Sequence, residues 1–228
     1  MKTKFISLVM ILALSGSVAM AQGVSKMSFG VKAGVNFQNL TGKDISGNKL
    51  ENDMLIGYHA GVDVQIPIAP QFYFQPGLLY SMKGAKNTYS ALDNAYTKNT
   101  NKLSYIELPL NLVYKALLGK GYFMLGFGPY VGYGFSGKVI SEGGSSSVDQ
   151  KIKFQNVVET GDDQTVPYYK ALDVGGNIFA GYELASGLFF QFNTQLGLIN
   201  INPEYKTITD DKSAVKNTGF GLSLGYRL

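Results

Sequence analysis

Residues 122–135 of this chain read YFMLGFGPYVGYGF. Every odd-numbered position in this stretch is apolar or aromatic, whereas four even-numbered positions, 126, 128, 132 and 134, are glycine. Because successive side chains of a β-strand point to opposite faces, one face of such a strand is apolar and the other is nearly bare. The stretch therefore predicts a strand with one strongly apolar face.

Seven other segments alternate in the same way and no segment has a helical pattern, which gives eight predicted strands: 27–37, 54–66, 72–82, 102–114, 122–135, 170–184, 188–200 and 217–228. Each is about as long as the ~9–11 residues with which a tilted strand crosses a bilayer. No second protein layer is available to cover so many apolar faces, so we expect lipid to cover them. The predicted fold is all-β, an eight-stranded antiparallel transmembrane β-barrel; a soluble sandwich and a lipocalin-like barrel are the alternatives.

The connecting segments alternate strictly between short and long. The short connections are 67–71, 115–121 and 185–187, and the long ones, rich in Asn, Thr, Ser, Lys and Asp, are 38–53, 83–101, 136–169 and 201–216. This alternation is typical of bacterial barrels with short periplasmic turns and long extracellular loops. Within the third long loop, we expect 148–158 and 168–169 to extend strands five and six as a hairpin.

Aromatic residues on the apolar faces cluster at two heights. Those at the short-turn end are Phe72, Phe74, Tyr114, Phe123, Tyr182, Phe190 and Tyr226; those at the long-loop end are Phe37, Tyr58, Tyr80, Tyr133 and Phe135. Two such bands are what the two membrane interfaces require. Pro76, Pro109 and Pro129 fall inside predicted strands, and we expect bulges there because proline removes a ladder donor.

The first 21 residues have the features of a cleaved signal peptide. Lys2 and Lys4 precede an apolar run, and Ala19-Met20-Ala21 predicts a cut after Ala21, which leaves 22–228 as one barrel domain. The formal charge of +4 falls by two when both lysines are removed, too little to indicate nucleic-acid binding. The chain has no cysteine, so disulfides and a lipid-modified mature N-terminus are excluded.

Four segments together resemble the small, porin-like outer membrane protein β-barrel domain family, which includes the PorT-like proteins: FYFQPGLLYSMKGAK (72–86), LSYIELPLNLVYK (103–115), GYFMLGFGPYVGYGFSG (121–137) and GFGLSLGYRL (219–228). The resemblance covers 28–228 and implies a bacterial outer-membrane location without fixing an activity. PorT is associated with protein secretion, which makes an accessory role in secretion an alternative by analogy. Gly221, Leu224 and Tyr226 resemble the signal read by the barrel-assembly machinery, although Gly219 and the terminal Leu228 depart from that pattern.

The inward-facing positions carry polar residues that we expect to form a hydrogen-bonded lumen network: Lys32, His59, Asp63, Glu107, Asn111, Asp173, Asn177, Glu183, Gln191, Gln195 and Arg227. Eight strands enclose a lumen just wide enough for side chains, and unpaired charges there are costly. We therefore expect a plugged interior. The alternative is a narrow, selective porin lined by an excess of carboxylates.

No motif in the sequence indicates a catalytic, metal or cofactor site. His59 is the only histidine and shares its face with Asp63, but no nucleophile-elbow motif occurs, so we expect a hydrogen-bonded lumen histidine. The acidic pairs at 162–163 and 210–211 lack the calcium-loop pattern.

The sequence thus predicts a monomeric, non-enzymatic outer-membrane barrel that supports envelope integrity or interacts through its surface loops. Its expected partners are outer-membrane lipid, the barrel-assembly machinery during insertion and an unidentified loop-bound surface molecule. A lipid-modifying enzyme is a further alternative.

Overall fold

The computed structural model describes residues 27–90, 96–143 and 146–228, so the predicted signal peptide lies outside the described residues. Regular structure in the described part is entirely β: β1 (Ser28–Lys43), β2 (Asp53–Ala69), β3 (Phe72–Ser90), β4 (Tyr96–Leu118), β5 (Gly121–Gly143), β6 (Ser146–Lys151), β7 (Lys153–Phe154), β8 (Val157–Val158), β9 (Tyr168–Tyr169), β10 (Leu172–Leu184), β11 (Leu188–Gly197), β12 (Glu204–Tyr205) and β13 (Ala214–Arg227). None of the described residues belongs to a helix that could cross a membrane.

Eight long strands close into a ring in the order β1-β2-β3-β4-β5-β10-β11-β13, every neighbour antiparallel. The last strand closes the ring on the first, with Gly30 opposite Arg227 at one end and Lys43 opposite Ala214 at the other. The insertion between β5 and β10 leaves the ring and returns, since Tyr133 lies opposite Leu172. The predicted eight-stranded antiparallel barrel is confirmed.

The two faces of the barrel wall differ as the alternation predicts. Outward Phe29, Phe127 and Ile178 are each 56% exposed, whereas inward Gln65, Glu107 and Asp173 are completely buried. A wall with an apolar outside and a polar inside matches hydrocarbon outside and a sealed polar interior. At the outer interface the rings of Tyr58 and Tyr80 lie 5.6 Å apart.

Several strands continue beyond the predicted membrane segments, and β3, β4 and β5 are the longest of them. β3, β4 and β5 extend as hairpins through residues that the sequence pattern assigned to loops. Strand pairing continues there because each added pair of residues forms backbone hydrogen bonds, whereas in a loop the same N–H and C=O groups would bond to water. β6 extends this sheet by pairing with β5, as expected for 148–151. The rest of the expectation, for 152–158 and 168–169, is wrong: β7 pairs in parallel with β9, and β8 pairs in parallel with β12.

The prediction of bulges at the three strand prolines is also wrong. Register is continuous across Pro76, Pro109 and Pro129. Each proline removes one donor, and neighbouring pairs on both sides hold the register. The irregularities lie elsewhere, in the β2–β3 ladder and at Ser104/Tyr105 opposite Phe135.

The glycine-rich inner face is not bare, because large side chains from neighbouring strands lie over its glycines. A Cβ on Gly126 would lie 2.3 Å from the Phe179 ring, and one on Gly225 would lie 2.2 Å from the Phe189 ring. Phe179 and Phe189 pack with Met124 and Val113 in a buried cluster inside the barrel. The glycines therefore make room for the rings that fill the lumen.

Candidate functional site

Lys83 is the centre of an ion-pair cluster in the outer half of the lumen. Its Nζ lies 2.6 Å from Glu107 Oε1 and 3.0 Å from Asp173 Oδ2, and all three side chains are fully buried. The same ammonium lies 4.3 Å from the centre of the Tyr130 ring. Because two carboxylates and an aromatic face surround one cation, the charge is held tightly inside the wall.

Amide side chains complete this outer cluster. Asn217 Nδ2 donates to Asp173 Oδ2 at 2.9 Å, and Gln195 Nε2 donates to Glu107 Oε2 at 2.9 Å. These donors come from β13 and β11, so the cluster connects strands on opposite sides of the ring. It therefore acts as a cross-brace within the lumen.

A second cluster lies near the periplasmic end and centres on Arg227 in the last strand. Its Nη1 lies 2.8 Å from Asp63 Oδ1, and its Nε lies 3.1 Å from Glu183 Oε2. Lys115 Nζ approaches the other oxygen of Glu183 at 2.7 Å and also donates to Gln65 at 3.2 Å. Every member is buried, so this network closes the lumen a second time.

His59 lies between the two clusters in a chain of neutral hydrogen bonds. Its Nδ1 lies 2.6 Å from Asn36 Oδ1 and its Nε2 lies 2.7 Å from Ser223 Oγ. Because an amide oxygen only accepts, the neutral ring carries its proton on Nδ1 and accepts from the serine at Nε2. The order Ser–His–Asn is that of a nucleophile, a base and an orienting group.

The remaining predicted lumen residues lie outside the two ion-pair clusters. Asn177 donates to the Gly128 carbonyl at 3.3 Å, while Asn111 and Gln191 are buried on β4 and β11. Lys32 lies between Gly61 and Gly225 on the neighbouring strands, and within the described ranges no carboxylate forms an ion pair with it. Eleven residues predicted from alternation thus share one interior, although they form separate groups.

Sequence reasoning missed two cations, Lys83 and Lys115. It assigned the first to a loop and the second to a turn, but both continue the inward parity of β3 and β4. Extending each of these two predicted strands by one residue would have found them. With them, the described interior holds four cations, Lys32, Lys83, Lys115 and Arg227, against four carboxylates, Asp63, Glu107, Asp173 and Glu183. The excess of carboxylates that the narrow-porin alternative assumed is therefore not present among the described interior residues.

An apolar layer closes the lumen above the ion pairs. It is built from barrel strands and from the long outer segments: Leu40, Ala85, Leu103, Tyr105, Val139, Ile152 and Ile201. Two of its members, Ile152 and Ile201, come from segments outside the barrel ring and are 7% and 0% exposed. We call this set the outer plug. The opposite end holds an open cavity of about 410 Å³ lined by Lys115, Glu183 and Arg227.

The outer segments are tied to one another above the plug. β8 pairs in parallel with β12, which joins the insertion after β5 to the loop before β13. Polar turns stiffen the surface: the Asn48 backbone N–H holds the pKa of Asp44 below its usual value, and the Thr165 hydroxyl does the same for the pKa of Asp163. The described outer segments are thus joined to one another by backbone pairing and contain hydrogen-bonded turns.

Two sequence-based expectations concern features away from the lumen network. On β13, Leu224 and Tyr226 of the proposed assembly signal face outward, 50% and 45% exposed, while Gly221 faces inward. In 27–90, 96–143 and 146–228 no group of three or more His, Asp or Glu side chains could hold a metal ion.

Comparison with solved structures returns other outer-membrane proteins at low identity. The attachment invasion locus protein Ail of Yersinia pestis, solved with the heparin analogue sucrose octasulfate, is 11% identical; the match covers 90% of this chain and 100% of Ail, with a TM-score of 0.41. Neisserial surface protein A is 13% identical over 91% of this chain and 99% of its own, with a TM-score of 0.40. An outer membrane channel from Pseudomonas putida F1 is 14% identical over 92% and 97%, with a TM-score of 0.29. These likenesses are too distant to support an argument about function.

Sequence comparison is more decisive about the family. No curated protein matches the chain. The model for the outer membrane protein beta-barrel domain matches residues 20–202, well over half of the sequence. This match and the closed ring of eight antiparallel strands show that the chain belongs to the outer membrane protein beta-barrel domain family.

Proposed function

We propose that this protein is a non-conducting, non-enzymatic outer-membrane barrel that supports envelope integrity and acts at the cell surface through its outer loops. The outer plug is the observation that carries the proposal, since apolar side chains from both the wall and the loops close the lumen. A solute entering from outside meets this layer first. Below it lie two buried ion-pair clusters. To let a solute pass, these ion pairs would have to break, which would leave buried charges without partners.

Conductance tests the plugged interior directly. Purified protein reconstituted in planar bilayers is expected to give no discrete current steps at applied potentials up to about 100 mV, because the outer plug and the two buried ion-pair clusters lie across the lumen. A porin in the same bilayers serves as the positive control. Reproducible steps that scale with protein amount, and that disappear after heat denaturation, would support the narrow-porin alternative.

The strand pairing within the outer segments supports an interaction at the cell surface. β7 with β9 and β8 with β12 give the loops a folded base above the plug. A preformed surface loses less conformational entropy on binding than a flexible loop does. We propose an unidentified surface molecule as the partner of these loops and a monomeric barrel as the acting unit.

A lipid-modifying enzyme is the second candidate, because Ser223, His59 and Asn36 have the hydrogen-bond order of a catalytic triad. The geometry around them favours a structural role. Ser223 is 6% exposed on the inner wall, and a Cβ on neighbouring Gly34 would already lie 2.6 Å from His59 Cε1. An acyl substrate needs space beside the nucleophile and donors for an oxyanion.

Hydrolysis assays distinguish a structural role of Ser223 and His59 from a catalytic one. Protein incubated with phospholipid vesicles, or with lipopolysaccharide, is expected to release no fatty acid above background, and Ser223→Ala is expected to leave that background unchanged. The enzyme candidate is supported instead if the wild type releases fatty acid and both Ser223→Ala and His59→Ala abolish the release. Gel mobility before and after heating establishes that each variant is folded.

Biogenesis completes the proposal. We propose removal of residues 1–21 on export and recognition of Gly221, Leu224 and Tyr226 by the barrel-assembly machinery. An accessory role in secretion rests on the family resemblance alone. Identification of proteins that co-purify from membranes in mild detergent is the experiment that would name a partner.

A further inference from the structure

Three lysines lie side by side across three neighbouring strands outside the outer aromatic band. Lys102 on β4 lies opposite Lys138 on β5, and Lys138 lies opposite Lys151 on β6. We call these residues the lysine row. Directly opposed residues have Cα atoms about 4.5–5.5 Å apart, and like charges placed in this way destabilise a sheet.

The lysine row carries a net positive charge. Asp149 Oδ2 lies 2.6 Å from Lys138 Nζ, and both side chains are about half exposed. Across the part of the chain that the structure describes, neither Lys102 nor Lys151 forms an ion pair. Two of the three ammonium groups are thus left without a protein counter-charge.

The lysine row faces the outside of the barrel. Leu103, adjacent to Lys102, is fully buried in the outer plug. Ile152, adjacent to Lys151, is only 7% exposed in the same plug. Since adjacent strand residues point to opposite faces, Lys102 and Lys151 point away from the lumen. Lys138 follows the same parity through its two pairings.

The Cα atoms of the lysine row lie at the outer edge of the lipid headgroup layer, within side-chain reach of the headgroups. Lys138 is three residues beyond Phe135, and Lys102 is four residues from Ile106, which lies opposite Tyr133. A rise of about 3.4 Å per residue and a tilt of about 40° place these Cα atoms roughly 8–10 Å above the aromatic band. The headgroup layer adds about 5–8 Å on each side of the hydrocarbon core, and lysine side chains extend over such distances.

Hydroxyl groups lie between the lysine row and the aromatic band along the same strands. Ser104 lies opposite Ser136 on the same outward face, and Tyr80 Oη lies 3.0 Å from Ser104 Oγ. Hydroxyls and ammonium groups are both donors to phosphate oxygens. The outward face of this sheet therefore presents an ordered series of aromatic, hydroxyl and ammonium groups from the membrane outward.

We propose that the lysine row, with Ser104 and Ser136, binds the phosphate groups of outer-leaflet lipid headgroups. The phosphates supply the counter-charge that the described protein residues do not supply, and the acyl chains of the same lipid lie against the apolar wall below. The position at the membrane edge, rather than at the loop tips, is the reason to assign a lipid rather than a soluble anion.

The test compares two triple variants with the same change in charge. The first is Lys102→Gln/Lys138→Gln/Lys151→Gln; the control is Lys43→Gln/Lys49→Gln/Lys212→Gln, which removes exposed lysines at the far end of other outer segments. Each full-length protein, in neutral maltoside detergent, is titrated with dioleoyl phosphatidic acid or dioleoyl phosphatidylcholine and followed by native mass spectrometry. We expect the first variant to bind phosphatidic acid about thirtyfold more weakly than wild type, as the loss of two uncompensated lysines implies. The control is expected to stay within about twofold, and phosphatidylcholine binding is expected to be equal in all three proteins.

Three outcomes would overturn the proposal. The first is wild-type affinity in the lysine-row variant, and the second is an equal loss in the control, which would indicate a general charge effect. The third is full competition by millimolar inorganic phosphate, which would indicate a soluble-anion site. If the triple variant does not fold, the single changes Lys102→Gln and Lys151→Gln replace it, each with an expected loss of about fivefold.

Discussion

Replacing Lys83 with methionine is expected to destabilise the folded barrel by about 3–5 kcal/mol, because Glu107 and Asp173 would both remain buried without a counter-charge. All three side chains are fully buried, with the ammonium 2.6 Å and 3.0 Å from the two carboxylates. The free energy of unfolding is measured by urea titration in lipid vesicles. Far-UV circular dichroism is the appropriate probe, since the chain contains no tryptophan.

Two further variants isolate the cause of that loss. Lys206→Met makes the same side-chain change at a lysine whose side chain is 49% exposed, and it is expected to change the free energy of unfolding by less than about 1 kcal/mol. Lys83→Met/Glu107→Gln/Asp173→Asn removes the carboxylate charges as well and is expected to regain much of the loss. If Lys83→Met unfolds at the wild-type urea concentration, the ion-pair cluster does not brace the barrel as we describe.

Replacing Gly126 with alanine is expected to destabilise the barrel by about 1–3 kcal/mol through overpacking against Phe179. The new Cβ would lie 2.3 Å from two atoms of the buried Phe179 ring. Gly176 is the matched control, because a Cβ at that lipid-facing strand position meets no atom within 4 Å. Gly176→Ala is expected to leave the free energy of unfolding within about 0.5 kcal/mol of wild type.

A double-mutant cycle then identifies the contact responsible. Phe179→Ala leaves a cavity and lowers stability by itself, by about 3–5 kcal/mol. In that background Gly126→Ala no longer meets the ring, so its further cost is expected to fall close to zero. Additive losses, with the same cost of Gly126→Ala in both backgrounds, would show that the glycine is needed for backbone reasons unrelated to Phe179.

The alternation along residues 122–135 and along seven further segments was sufficient to predict the class of fold and the number of barrel strands. A strand that crosses a membrane shows its two environments in consecutive residues, so its pattern is local and can be read without a structure. The same parity placed Asp63, Glu107 and Arg227 on the inner face. It missed Lys83 and Lys115 because each lies just beyond the apolar run, where alternation alone does not separate strand from loop.

Which side chains contact one another inside the barrel could be learned only from the tertiary structure. Lys83 and Asp173 are 90 residues apart in the chain, and His59 and Ser223 are 164 apart. Which inward side chains meet depends on ring closure and on the register of every strand between them, and a change of one residue would move each side chain to the other face. The outer plug likewise depends on how Ile152 and Ile201 fold back over the barrel mouth. The sequence determined which residues face lipid because that preference is set residue by residue, whereas the tertiary structure decided the contacts that fill the lumen, because those contacts join distant strands.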